Sequence, residues 1–318
     1  MSDGNTHDLK VVFITGSGRS GSTLLDRVLG QVDGIFSAGE LRGIAERSVI
    51  GNRLCGCGKP FRECEVWQKV FKDAFGGFDG FDADRFIYLK ESVTRTGSMM
   101  RMASRLKSDT VEEAVEYTAI MEKLYRSIAK VTGDHVIIDS SKYPSHAHLI
   151  SQNSTLQVYQ LHLVRDARAV AHSWQRKKLK NDTVKPEYMP IEHPVQSAIG
   201  WLTWNYAANV LPVRTDSKYL RIRYKDFVRR PQEMAALVME FLEEKQLPPF
   251  VDDKTVRMKP NHTVSGNPAR FHNGNVKIRE DKEWRENIRP ATKFWATLIG
   301  APLLARYGYF KKSRRSKP

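Results

Sequence analysis

This chain is short of three things: cysteine, long apolar stretches and acidic side chains. Its three cysteines among 318 residues fall in one cluster, Cys55-Gly-Cys57-Gly-Lys-Pro-Phe-Arg-Glu-Cys64-Glu-Val-Trp67. Three thiolates with no close histidine leave a zinc site one ligand short, so the expectation is a structural loop under Trp67 and no metal. A permanent disulfide is disfavoured by the expected compartment. That compartment is the cytoplasm, because the opening MSDGNTHDLK lacks the basic start and apolar core of a signal peptide. No apolar run approaches the roughly 20 residues of a membrane span, so no transmembrane segment is expected. Asp plus Glu number 36 against 51 Lys plus Arg, a net charge of +15. Such a surplus favours polyanionic partners, from nucleic acid to acidic glycans to a highly charged nucleotide, without choosing among them.

What the chain does contain begins at Lys10. Val11, Val12, Phe13 and Ile14 form a short continuous apolar run, the pattern of a buried parallel strand. A turn follows, Thr15-Gly16-Ser17-Gly18-Arg19-Ser20-Gly21, and after it Leu24, Leu25, Val28 and Leu29 share one helix face. Strand, Gly-rich turn and helix in this order create a helix N-terminus whose free N–H groups and dipole attract an anion. Gly16, Gly21 and Thr23 keep the spacing of a nucleotide-binding P-loop, but Ser22 stands where that loop carries its lysine. The lysine normally reaches the β/γ-phosphates of a nucleoside triphosphate, so its absence argues against an ordinary ATPase or GTPase. Arg19 offers instead a planar fork suited to a tetrahedral oxyanion.

Here the chain resembles a known family. GSGRSGSTLLDRVL is similar to the 5′-phosphosulfate-binding loop of sulfotransferases that use 3′-phosphoadenosine-5′-phosphosulfate (PAPS), in the form carried by carbohydrate and tyrosylprotein sulfotransferases. A second segment carries the other half of the resemblance. A strand over Val158–Val164 ends at Arg165, and Ser173 lies eight residues on, about two helical turns away. This resembles the 3′-phosphate-binding motif of the same enzymes, in which that Arg and that Ser hold the 3′-phosphate. Lys177 stands where the tyrosylprotein branch has a further basic contact, there an arginine.

The resemblance implies a full site. Gly18, Arg19, Ser20, Gly21, Ser22 and Thr23 cradle the 5′-phosphosulfate. Glu40, after a second strand in Gly34–Leu41, is the catalytic base, and it emerges beside the phosphate loop if that strand neighbours the first. Lys142, two residues before Pro144, steadies the transferring sulfuryl group together with Arg19. Tyr224 lies in a segment resembling Y-E-D-L-V-x-x-P, with Lys225 replacing the usual Glu, and contacts the nucleotide. The polar loop His262–Gly274 covers it, with Ser265, Asn267 and Arg270 as contacts. The donor is PAPS, and the acceptor is a hydroxyl or amine on a small molecule, glycan or peptide. Neither metal nor nucleic acid is expected.

The expected architecture is a three-layer α/β/α fold of P-loop type with a central parallel sheet. One domain covers residues 1–310, with a helical, acceptor-side insertion at about 50–130, and a basic, disordered tail covers 311–318. Helices are expected over Leu41–Arg47, Arg85–Arg105, Thr110–Thr132 and Gln196–Leu211, the last with core aromatics. Two rival readings stand beside the sulfotransferase. One is a kinase in which Asp139, closing the strand His135–Asp139, holds magnesium. The other is a non-catalytic polyanion binder driven by charge.

Overall fold

The apolar run after Leu9 becomes β1 (Lys10–Thr15), and its alternation decides the layers. Val11 and Phe13 enter one buried cluster while Val12 and Ile14 enter another, on opposite faces of a sheet. The structure, a computed structural model, describes residues 9–104, 110–152, 155–180, 182–183 and 187–310; the expected tail at 311–318 lies outside them. The sheet has five strands: β1, β2 (Ile35–Gly39), β3 (Val136–Lys142), β4 (Gln157–Val164) and, after a two-residue ladder of β5 (Leu179–Lys180) with β6 (Glu187–Tyr188), β7 (Lys218–Arg223). Their order is β2-β3-β1-β4-β7 and every pairing is parallel. Such a sheet must be covered on both faces, because each parallel pair needs a crossover. A small antiparallel sheet of β8 (Phe250–Asp252), β9 (Thr255–Met258) and β10 (Gly274–Lys277) flanks it.

Helices supply the cover. On the face of Val12 and Ile14 lie α1 (Ser22–Leu29), through Leu25, Val28 and Leu29, and residues of helices that follow β7. On the face of Val11 and Phe13 lie α2 (Glu65–Phe75), α3 (Ala83–Thr94) and the 22-residue α5 (Val111–Thr132), with α4 (Thr96–Ala103) between the last two. Then come α6 (Pro144–Ser151), α7 (Ala167–Trp174) and α8 (Pro194–Val210), followed by α9 (Tyr224–Arg229), α10 (Pro231–Phe241), α11 (Glu283–Asn287) and α12 (Pro290–Arg306). Trp201 of α8 is buried against α7 and α12, as expected of a core aromatic, whereas Tyr206 of the same helix is exposed and Trp204 lines a cleft at the carboxyl edge of the sheet. Among the described residues no helix is long and apolar enough to cross a membrane.

Three local expectations need correction. β2 pairs with β3 and not with β1, yet Glu40 still leaves the carboxyl edge, because every strand of the sheet points the same way. The expected helix Arg85–Arg105 breaks at Arg95, whose ψ is 163°. Ser145 Oγ donates to the Thr94 carbonyl (2.7 Å) and Arg42 Nε to Thr94 Oγ1 (2.7 Å), so tertiary bonds hold the backbone where a continuing helix needs it. In place of a helix over Leu41–Arg47 there is a 3₁₀ turn, Leu41–Gly43, and then a π-helical stretch, Ile44–Ile50.

Candidate active site

All five strands deliver their ends to one edge, and a cleft of about 900 Å³ opens there. Among the described residues, eight cationic side chains and four carboxylates line it. β1 feeds the loop Gly16–Gly21 into α1, whose N-terminus carries no side-chain cap. Gly21 sits at φ 96°, and a Cβ there would lie 2.5 Å from the Tyr224 ring, so the loop closes on that ring only as glycine. Arg19 takes φ 61°, a left-handed conformation uncommon outside glycine. Its guanidinium stacks 4.6 Å from the centre of the Trp174 ring and donates to Met189 Sδ. Ser17 Oγ, Ser20 Oγ and, from the far loop, Ser265 Oγ are buried without a protein hydrogen-bond partner.

Glu40 follows the last residue of β2 and is caught between two cations. Lys142 Nζ donates to its Oε1, and Arg47 donates to Oε2 at 2.9 Å. Burial pushes the Glu40 carboxyl up, but Lys142 and then Arg47 outweigh it and hold the pKa at about 2. Lys142 closes β3 at φ 74°, and its carbonyl accepts from Gly16 N at 3.2 Å, so one residue braces the phosphate loop and pairs with the carboxylate. Arg47 reaches Glu40 from the π-helical stretch, a partnership without a signal in the sequence.

Across the cleft Arg165 leaves β4. It donates to the Arg19 carbonyl (3.0 Å), pairs with Asp281 (2.7 Å) and stacks 4.8 Å from the centre of the Tyr224 ring. Ser173, in the last turn of α7, lines the same cleft. Lys177 does not: it is exposed, its ammonium over the Tyr188 ring, while its neighbours Arg176 and Lys178 face the cleft. Gly18, Ser22 and Thr23 line it with Arg19.

The loop 261–271 lies over these groups. Asn267 N donates to Thr23 Oγ1 (3.3 Å), and Ser265 and Asn267 face the cleft. Arg270 faces inward instead, fully buried, donating to the carbonyls of Thr263 (2.8 Å) and Leu54 (2.6 Å) and pairing with Asp182 (3.2 Å). Its task is to hold the loop's shape.

Two polar residues on the strands that feed the site, Asp139 and His162, turn out to be internal. Asp139 is fully buried, accepting from Tyr125 Oη (2.8 Å), His146 Nε2 (3.0 Å) and Ser141 N (2.9 Å), and it does not line the cleft. With its oxygens so engaged, it is a poor magnesium ligand. His162 is buried between Tyr219 Oη (2.7 Å) and Asn205 Oδ1 (2.8 Å), and burial pushes its pKa down to about 4.

No protein-family model and no curated protein matches this chain. Solved structures do. The sulfotransferase domain of the olefin synthase of Synechococcus PCC 7002 is 20% identical over 93% of this chain and 96% of its own, with a TM-score of 0.52. The sulfotransferase domain of the curacin biosynthetic pathway is 18% identical over 93% and 97%, with a TM-score of 0.50. The chain therefore has the fold of these sulfotransferase domains, a five-stranded parallel sheet between helical layers.

Proposed function

We propose that this protein is a sulfotransferase that moves the sulfuryl group of PAPS to an acceptor hydroxyl or amine. The observation that carries the reading is the meeting of a lysine-free phosphate loop, Glu40 with Lys142, and Arg165 with Ser173 around one cleft. PAPS carries about four negative charges, which suits a cleft whose cations outnumber its carboxylates. The buried, unpartnered hydroxyls of Ser17 and Ser265, both on the cleft, fit a ligand rich in acceptor oxygens, since an unpartnered buried hydroxyl is costly, whereas Ser20 does not line the cleft. Arg165 and Ser173 hold the 3′-phosphate, and for that Arg165 exchanges Asp281 for the phosphate.

In the transfer, the bond from sulfur to the bridging oxygen breaks as the acceptor oxygen or nitrogen bonds to sulfur, and 3′,5′-ADP leaves. Negative charge grows on the bridging oxygen, and Arg19 and Lys142 stabilise it. Glu40 takes the acceptor's proton. Lys142 links the two tasks: as it turns to the donor it relaxes its hold on Glu40, and burial then raises the carboxylate's basicity. The kinase reading has no comparable support, because Asp139 is committed to the interior.

The test is nucleotide preference. 3′,5′-ADP should raise the melting temperature more than ADP or ATP and bind more tightly than 5′-AMP by calorimetry. Arg165→Ala should erase most of that difference, a loss of roughly 1.5–3 kcal/mol for one charged hydrogen-bonding partner. Equal affinity of the wild type for 3′,5′-ADP and 5′-AMP would refute the assignment.

A further inference from the structure

The cysteine cluster lacks a fourth ligand only in the sequence. In the fold His262, 198 residues beyond Cys64, brings Nδ1 to 3.2 Å from Cys64 Sγ and 3.9 Å from Cys55 Sγ. Cys57 Sγ lies 3.8 Å from Cys64 Sγ, and all four ligand atoms fall within 4.8 Å of one another. A tetrahedral zinc with Zn–S of about 2.3 Å and Zn–N of about 2.0–2.1 Å has S···S edges of about 3.8 Å and N···S edges of about 3.5 Å. The observed sulfur edge matches and the two nitrogen edges straddle the expected one. A disulfide needs its sulfurs at about 2.05 Å, far closer than Cys57 and Cys64 stand.

The surroundings are built for four ligands. Cys55 N donates to the Lys59 carbonyl and Gly58 N to that of Cys55, both at 2.8 Å, a tight turn that sets Cys55 and Cys57 side by side. Cys64 sits just before α2, three residues from Trp67, whose Nε1 donates to the His262 carbonyl at 2.8 Å. Gly56 N donates to the Thr263 carbonyl at 3.0 Å, and a Cβ on Gly56 would strike Asn261 Oδ1 at 2.0 Å. Cys55 and Cys64 are fully buried.

We propose that Cys55, Cys57, Cys64 and His262 Nδ1 bind one zinc ion in a closed structural site. With all four positions taken by protein, the ion does no chemistry on a substrate. It ties the segment before α2 to the loop 261–271, and so holds Ser265 and Asn267 at the cleft. The site stands independently of the sulfuryl-transfer reading.

Full-length protein, purified under reducing conditions without added metal or metal-affinity resin, should contain about one zinc per chain by mass spectrometry of the metal. Cys64→Ser and His262→Ala should each lower that content severalfold. Because such variants can misfold, the wild type is also loaded with cobalt(II). Sulfur-to-cobalt charge transfer with the intense visible bands of a tetrahedral site supports the assignment. The proposal is overturned if the folded wild type neither holds zinc nor takes up cobalt, if cobalt binds without the charge-transfer band, or if mass spectrometry finds a Cys57–Cys64 disulfide.

Discussion

At the scale of single residues, Glu40 shows a resting state at odds with its proposed task. A carboxylate held at about pH 2 is ionised at neutral pH but is a feeble base while both cations grip it. Glu40→Gln keeps the shape and loses the proton acceptor, so turnover should fall by about 10²–10⁴-fold while donor affinity barely changes. If turnover stays within a few-fold of wild type, another group is the base. The same substitution has a signature in stability. The folded pKa lies below the ordinary 4.5, so the ion pair's contribution is complete above pH 4.5 and is lost as pH falls towards 2. Melting curves across that window should drop more steeply for the wild type than for Glu40→Gln.

At the scale of elements, the backbones of β2 and the loop 261–271 meet directly. Val264 N donates to the Ala38 carbonyl (2.8 Å) and Glu40 N to that of Val264 (2.9 Å). Gly39 between them has φ 84°, and a Cβ there would stand 2.2 Å from the Val264 oxygen. Gly39→Ala should therefore cost more than the about 1–2 kcal/mol of a left-handed L-residue, read by urea denaturation, and should also weaken 3′,5′-ADP binding as the loop is displaced. What the sequence made legible followed this local logic. The strand–loop–helix of β1 and α1, and Arg165 with Ser173 across β4 and α7, are contiguous stretches whose spacing carries the geometry. Arg47, Asp281 and His262 were illegible because each acts through a fold contact: a π-helical turn, a residue beside α11, and a histidine nearly two hundred residues from its cysteines. The break at Arg95 was hidden for the same reason, since its cause is Ser145 and Arg42 reaching Thr94.

At the scale of the whole molecule, the chain carries fifteen surplus positive charges, and among the described residues the cleft has eight cations against four carboxylates. Binding of 3′,5′-ADP should weaken several-fold as potassium chloride rises through a decade, because screening shortens the reach of those cations. Calorimetry at two salt concentrations checks it, and an affinity indifferent to salt would mean that recognition is carried by uncharged contacts. The order β2-β3-β1-β4-β7 leaves β2 as an outer strand, a position that can template another chain unless it is covered. Val264 occupies that edge at Gly39, adding a single residue in parallel to the sheet. The loop over the cleft is thus also an edge guard. A change that loosens it trades a ligand-binding defect for exposed strand edge, and self-association becomes part of the same phenotype.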